Sequence, residues 1–126
     1  SSDVCSSDLD LLIYFLKFLS EHQIPVFLAV LKKFGNANTG LLSFPIKGWT
    51  LAVDIPSDVV GLPQKLSEFD AKLIKVGGKI YLAKDSRLSK LNFEKMYPHV
   101  ETFRALRKNL ELKNIINSDL SLRLNI

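Results

Sequence analysis

A chain of 126 residues has room for one small domain or for part of a larger one. With 47% hydrophobic and 24% charged residues it is not a wholly disordered chain, and a net charge of +4 lacks the dense basic stripe of a dedicated nucleic-acid binder. Its one cysteine, Cys5, has no internal partner, which excludes a disulfide-stapled secreted scaffold.

Residues 1–8, Ser-Ser-Asp-Val-Cys-Ser-Ser-Asp, repeat Ser-Ser-Asp and fit no downstream pattern. They read as a foreign or disordered segment, so Cys5 is not expected to be a catalytic thiol. The only methionine is Met96, and a natural chain starting at residue 1 would start with Met, so a fragment is expected. Leu9, Leu12, Ile13, Leu16 and Leu19 recur at helical spacing behind a candidate cap, Asp8, and predict a helix over 9–22 that ends before Ile24-Pro25. This apolar run is broken by Asp10 and Lys17. It falls short of the ~20 residues a membrane span needs and lacks the basic flank of a signal peptide.

Residues 26–34 are rich in strand formers. Alternation puts Val26, Leu28, Val30, Lys32 and Phe34 on one face; both faces are apolar early on, which predicts a strand internal to a sheet. A loop follows over 35–40. Residues 49–55 alternate Trp49, Leu51, Val53 and Ile55 inward against Thr50, Ala52 and Asp54, a small polar face suited to lining a pocket. Ser57 or Asp58 is expected to cap the next helix, with Pro63 in its first turn, Leu62, Leu66, Phe69, Leu73 and Val76 inward, and Gly77-Gly78 as the stop. A third strand is predicted over 79–83. Asn92 is expected to cap a helix over 93–96, Tyr97-Pro98 to start another carrying Val100, Phe103, Leu106 and Leu110 inward, and residues 117–124 to add one more helical turn.

The fold class is α+β, an antiparallel or mixed sheet with helices on one face. Strand 49–55, its following helix and strand 79–83 suit a split βαβ unit. Three strands leave apolar faces uncovered, so further N-terminal strands are expected to complete the sheet.

No Gly-x-Gly-x-x-Gly, Walker loop, His-x-x-x-His or cysteine pair is present, and His22 and His99 have no matching ligands, so no metal site is expected. The most informative stretch is Gly77-Gly-Lys-Ile-Tyr-Leu-Ala-Lys-Asp-Ser-Arg87, which gathers a phenol, an ammonium and a guanidinium at one strand end. The residues alone leave two readings open. One is a solvated strand terminus with Tyr81 half packed and Asp85 pairing Arg87. The other is an anion or flavin contact, in which Lys supplies a mobile charge and Tyr a flat amphipathic surface.

Ser43-Phe-Pro-Ile-Lys-Gly-Trp49, Val53-Asp-Ile-Pro56, the 77–87 run, Met96-Tyr-Pro98 and Asn117-Ser-Asp-Leu120 occur in one order. Together they resemble the C-terminal part of the decaprenylphosphoryl-β-D-ribose 2′-oxidase family, flavoenzymes of the vanillyl-alcohol-oxidase type, over roughly residues 9–124. The resemblance implies that 9–126 is an incomplete substrate (cap) domain of a two-domain flavoenzyme whose FAD-binding domain lies upstream. It also implies oxidation of the C2 hydroxyl of a polyprenylphosphoryl ribose with hydride transfer to flavin, and a partner short-chain reductase that completes an arabinan precursor for the cell wall. A bacterial, cytoplasmic-membrane-associated setting follows, with peripheral contact and no transmembrane segment in this chain. Tyr81 and Lys84 would contact FAD, Lys84 as the catalytic residue, and Lys32, Phe34 and Thr50 would contact substrate. Thr50 and Ala52 stand where the best-known members carry Asn and Cys; that cysteine is captured by covalent inhibitors, so Ala52 implies no such capture. The related aldonolactone oxidases carry His-Trp-x-Lys where this chain reads Tyr81-Leu-Ala-Lys84, which favours the prenylphosphoryl-sugar branch while keeping a lactone oxidase as the alternative. Alone, the fragment is expected to be inactive. The rival from another class is a stand-alone nucleic-acid or protein-binding module. It is disfavoured because aromatic residues do not cluster on the strands as in an RNA-binding sheet, and no nucleic-acid partner is expected.

Overall fold

The computed structural model describes residues 2–110 and 115–126. Its organising element is the segment that looked least structured. Ser2–Ser6 forms strand β1, which pairs antiparallel with β3 (Gly48–Asp54) along its whole length and with β4 (Lys79–Ile80) on its other side. With β2 (Leu28–Phe34) the sheet order is β2-β3-β1-β4. The expectation of a disordered N-terminal segment is corrected on this point: Val4 and Cys5 have no exposed surface. Small serines flank one apolar pair, so neighbours on both sides supply the order that five polar-looking residues do not announce.

Because β1 is antiparallel to both neighbours, β3 and β4 run parallel to each other with β1 between them. The helix joining them, α2 (Leu62–Lys75), completes the split βαβ unit expected from the sequence. Helix α1 (Leu9–Glu21) is opened by the Asp8 carboxylate, which accepts from the N–H groups of Asp10 at 2.9 Å and Leu11 at 3.2 Å. It buries Leu12, Phe15, Phe18 and Leu19, leaving Ile13 and Leu16 at the edge, because the two large rings pull the buried face towards themselves. Phe15 stacks on Phe69 of α2 with centroids 4.0 Å apart. Val4, Leu51, Val53 and Ile80 join the same core, to which each fully buried aliphatic or aromatic side chain contributes about 1.5–3 kcal/mol.

Several local expectations are revised. β2 is an edge strand rather than an internal one: it pairs only with β3 among the described residues, leaving Leu28 55% and Leu31 50% exposed. Neither Ser57 nor Asp58 caps α2; Gly61 does so at φ 71°, a left-handed conformation glycine adopts without strain, with Pro63 in the first turn as expected. The helix stops at Gly77, φ 70°. The third strand ends after two residues and gives way to a 3-10 turn over Leu82–Lys84. Helix α3 (Lys90–Met96) begins earlier than expected, because the Ser89 hydroxyl rather than Asn92 accepts the capping bond, from Asn92 N–H at 3.2 Å. Helix α4 (Val100–Asn109) buries Val100, but Leu106 and Leu110 are exposed: the helix lies at the rim, where Arg104 and Arg107 reach backbone carbonyls of the C-terminal residues. The last turn is α5 (Asp119–Leu124), opened by a reciprocal Ser118–Ser121 capping box. No helix among the described residues is long and apolar enough to cross a membrane.

Candidate functional site

Side chains directly opposite one another in an antiparallel ladder share a face. The register aligns Lys32, Thr50, Cys5 and Lys79 in one row, and Val30, Ala52 and Asp3 in the next. This is the face turned away from α1 and α2. The connection between β2 and β3 folds back over it and brings Phe44 against the rings of Phe34, edge-on at 5.9 Å, and Tyr81, at 5.0 Å. A cavity of about 420 Å³ remains, walled by Lys32, Phe34, Phe44, Tyr81, Tyr97 and Asp3. Lys32 and Phe34 share a strand face because they are two residues apart. Tyr81 reaches the same cavity because its N–H bonds the Asp3 carbonyl at 2.9 Å, extending β4 by one residue before the chain turns.

The turn over 82–84 is closed by Lys84 N–H donating to the Tyr81 carbonyl at 3.3 Å. It lets two residues three positions apart approach one region, where an extended strand would point them to opposite faces. Lys84 Nζ lies 3.4 Å from Asp3 Oδ2, with its side chain 46% exposed. Lys84 does not itself line the cavity; it holds the carboxylate that does. The other oxygen, Asp3 Oδ1, is buried with no hydrogen-bond partner among the described residues. Tyr97 backs the cavity, its hydroxyl donating to the Ile80 carbonyl at 2.6 Å. Burial first, then the potential of Cys5, Asp85 and Tyr81, holds its phenol well above the usual tyrosine range.

Thr50, expected to contact substrate, sits on the right face but is not brought to the cavity. It is buried, and its hydroxyl donates to the Val4 carbonyl of the neighbouring strand at 2.9 Å. Ala52, one row further along, is part-buried. Arg87 does not pair with Asp85. Its guanidinium makes two bonds to the buried Asp70 carboxylate, at 2.6 and 2.9 Å, while Asp85 accepts from the N–H groups of Arg87 and Leu88 and from Arg123 at 2.9 Å. The Asp85-Ser-Arg87 run therefore pins the turn to α2 and α5 rather than entering the cavity. The Cys5 thiol is buried beside the Ile46 carbonyl at 3.7 Å, and desolvation raises its pKa, so it is not a poised nucleophile. No cluster of metal ligands occurs among the described residues. Of the cavity residues that sequence reasoning did not single out, Phe44 and Tyr97 lie inside the Ser43–Trp49 and Met96–Pro98 runs, so their position was marked although their role was not. Asp3 carried no signal.

No family model matches the chain. It is 38% identical over 100 residues to a decaprenylphosphoryl-β-D-ribose oxidase of Mycolicibacterium smegmatis, a match covering 79% of this chain and 22% of that protein. The chain is a decaprenylphosphoryl-β-D-ribose oxidase-like segment. An uncharacterized protein in the mprA 5′ region of Streptomyces coelicolor is likewise 38% identical, over 97 residues that make up 77% of this chain and 26% of that protein. This oxidase-like segment thus spans about a quarter of the length of the relatives it matches.

Proposed function

We propose that the oxidase-like segment forms the sugar-side wall of the active site of an FAD-dependent oxidoreductase that oxidises a sugar hydroxyl, the C2 hydroxyl of a polyprenylphosphoryl ribose. The observation that carries this reading is the convergence of Lys32, Phe34 and Tyr81, from two separate strand ends, on one cavity. Aromatic walls suit the C–H face of a sugar ring, and the Lys32 ammonium donates hydrogen bonds to hydroxyl or phosphoryl oxygens. The similarity to a named oxidase over four fifths of the chain supports the same reaction class.

Tyr81 in the cavity wall and Lys84 beside it would suit a flavin. Tyr81 offers a partly exposed flat ring, and Lys84 an accessible ammonium whose aspartate partner has an unsatisfied oxygen. FAD, when bound, supplies the two-electron acceptor, and these two side chains would hold its edge. Lys84 would supply a positive charge beside the flavin, favouring the negative charge of the reduced cofactor. Phe34, Phe44 and Tyr97 exclude water from the reacting carbon. The keto sugar would pass to a short-chain reductase, giving the arabinose epimer for cell-wall arabinan at a bacterial cytoplasmic membrane.

The reading is tested by exchanging the matching region of the M. smegmatis oxidase for residues 2–126, which include β1 and Asp3, and assaying the flavin-loaded chimera. Turnover of a short prenylphosphoryl ribose, with KM raised about tenfold or more by Lys32→Ala, supports it. Turnover of an aldonolactone but not of the prenylphosphoryl sugar would replace it with the lactone-oxidase alternative.

A further inference from the structure

Behind the segment that roofs the sugar cavity lies a second cavity, of about 330 Å³, that the oxidase reading does not use. Its wall brings Asn38 and Ser43 from the β2–β3 connection together with Lys79 of β4, Lys95 of α3 and His99 before α4. No carboxylate lines it among the described residues.

Its polar groups are under-used. The Ser43 hydroxyl is buried with no hydrogen-bond partner among the described residues. Lys79 Nζ makes one hydrogen bond, to the Ser43 carbonyl at 2.9 Å, and lies 5.2 Å from the centre of the Tyr97 ring, so two of its three N–H donors are not accounted for by that bond. Desolvation lowers its pKa, a sign that the charged form lacks compensation. Lys95 and His99 form no ion pair among the described residues. A buried hydroxyl without a partner and the part-buried Lys79 ammonium without an acid are each unfavourable alone, and the exposed Lys95 and His99 add donors at the rim. One multivalent oxyanion relieves both, because it accepts several charge-assisted hydrogen bonds at once.

We propose that this cavity is an oxyanion site that takes the phosphoryl group of a phosphoester, with Ser43, Lys79, Lys95 and His99 as donors. The inference stands on the cavity and does not depend on the flavin reading. Two sources share this chemistry. One is a phosphorylated sugar–lipid reaching across from the sugar cavity, which shares Pro45 with this one and is backed by the Tyr97 ring beneath Lys79. The other is a nucleotide phosphate.

The test is a titration of inorganic phosphate into the 126-residue chain, followed by amide chemical shifts and by thermal midpoint. Saturable shifts are expected at Asn38–Ser43, Lys79 and Lys95–His99, with a raised midpoint. Lys79→Met, which keeps the aliphatic stem over Tyr97, and Lys95→Met, an exposed position that leaves the fold undisturbed, should each weaken binding about tenfold. Ser43→Ala should do two things that a merely structural serine would not combine: raise the midpoint of the free chain and weaken phosphate binding. Geranyl phosphate binding more tightly than phosphate, with added shifts at Phe34 and Tyr81, assigns the sugar–lipid source; tighter binding of ADP without those shifts assigns the nucleotide. Non-saturable shifts, or unchanged affinity in both Lys95→Met and Ser43→Ala, would overturn the proposal. No flavin enters the titration, so its failure leaves the redox reading untouched.

Discussion

Arg87→Met is expected to be among the most damaging substitutions outside the hydrophobic core. The guanidinium makes two near-parallel bonds, of 2.6 and 2.9 Å, to an Asp70 carboxylate that is only 2% exposed. Methionine keeps much of the apolar stem and removes the charge, leaving Asp70 ionised or desolvated on α2 with no compensating partner. Breaking a buried pair from one side typically costs ~3–5 kcal/mol, most of it the penalty on the group left behind. Against a total stability of ~5–15 kcal/mol for a small domain, that is a large fraction. The converse substitution, Asp70→Asn, should cost less, about 1.5–3 kcal/mol, because Arg87 is 20% exposed and can recover hydration. The double replacement Arg87→Met/Asp70→Leu should be milder than the sum of its parts, since no charge is then left buried. Urea denaturation followed by tryptophan fluorescence of Trp49, at constant m-value, measures all three. A change within about 0.5 kcal/mol for Arg87→Met, the range of an ordinary surface residue, would refute the buried pairing and return Arg87 to solvent.

Removal of residues 1–8 should abolish cooperative unfolding, because it takes the strand from between β3 and β4; an unchanged thermal midpoint would show that β1 does not sit there. Tyr97→Phe loses the hydroxyl bond to Ile80 and should cost about 0.5–1.5 kcal/mol at neutral pH. Because the folded-state pKa of Tyr97 is raised, the protonated phenol stabilises the fold at and below about pH 10, and that contribution fades as pH rises above the unfolded tyrosine value. Wild type should therefore lose stability above about pH 10 more steeply than Tyr97→Phe, as read from urea midpoints across pH; parallel profiles would contradict the burial of this phenol. Thr50→Val, which keeps the β-branched shape and removes the bond to Val4, should cost about 1–2 kcal/mol in the same denaturation assay. It should leave KM in the flavin-loaded chimera unchanged, and a raised KM would place the hydroxyl in the cavity after all.

The helices and the two long strands were legible because their signals are local. Asp8 is followed by apolar residues at helical spacing, Pro63 and Gly77 bracket α2, and Trp49, Leu51 and Val53 alternate cleanly. Part of the site was legible for the same reason, since Lys32 and Phe34 are two apart on a strand and must share a face. β1 was not, because Ser-Asp-Val-Cys-Ser owes its conformation to the edges of β3 and β4, and no propensity within the five residues reports those edges. The partner of Arg87 was hidden for a related reason. Asp85 is the nearer carboxylate in sequence, but the turn uses it to cap its own N–H groups, while α2 brings Asp70 from seventeen positions away. Thr50 shows the limit of face arguments: sharing a face with Lys32 does not bring into the cavity a buried side chain whose hydroxyl is bonded back to the Val4 carbonyl.

The central claim, that the turn after β4 carries the cation serving a flavin, is tested most directly by rapid-mixing anaerobic flavin reduction in the chimera bearing residues 2–126, with and without Lys84→Ala. Lys84 is nearly half exposed, but the Asp3 carboxylate it pairs with is buried, so its removal should cost about 1–3 kcal/mol of stability, read separately from the rate by urea denaturation. Loss of a preorganised charge at the reacting centre should slow reduction about a hundredfold to a thousandfold with FAD still bound. Reduction by a prenylphosphoryl ribose at near-wild-type rate in the flavin-loaded Lys84→Ala protein would contradict the account.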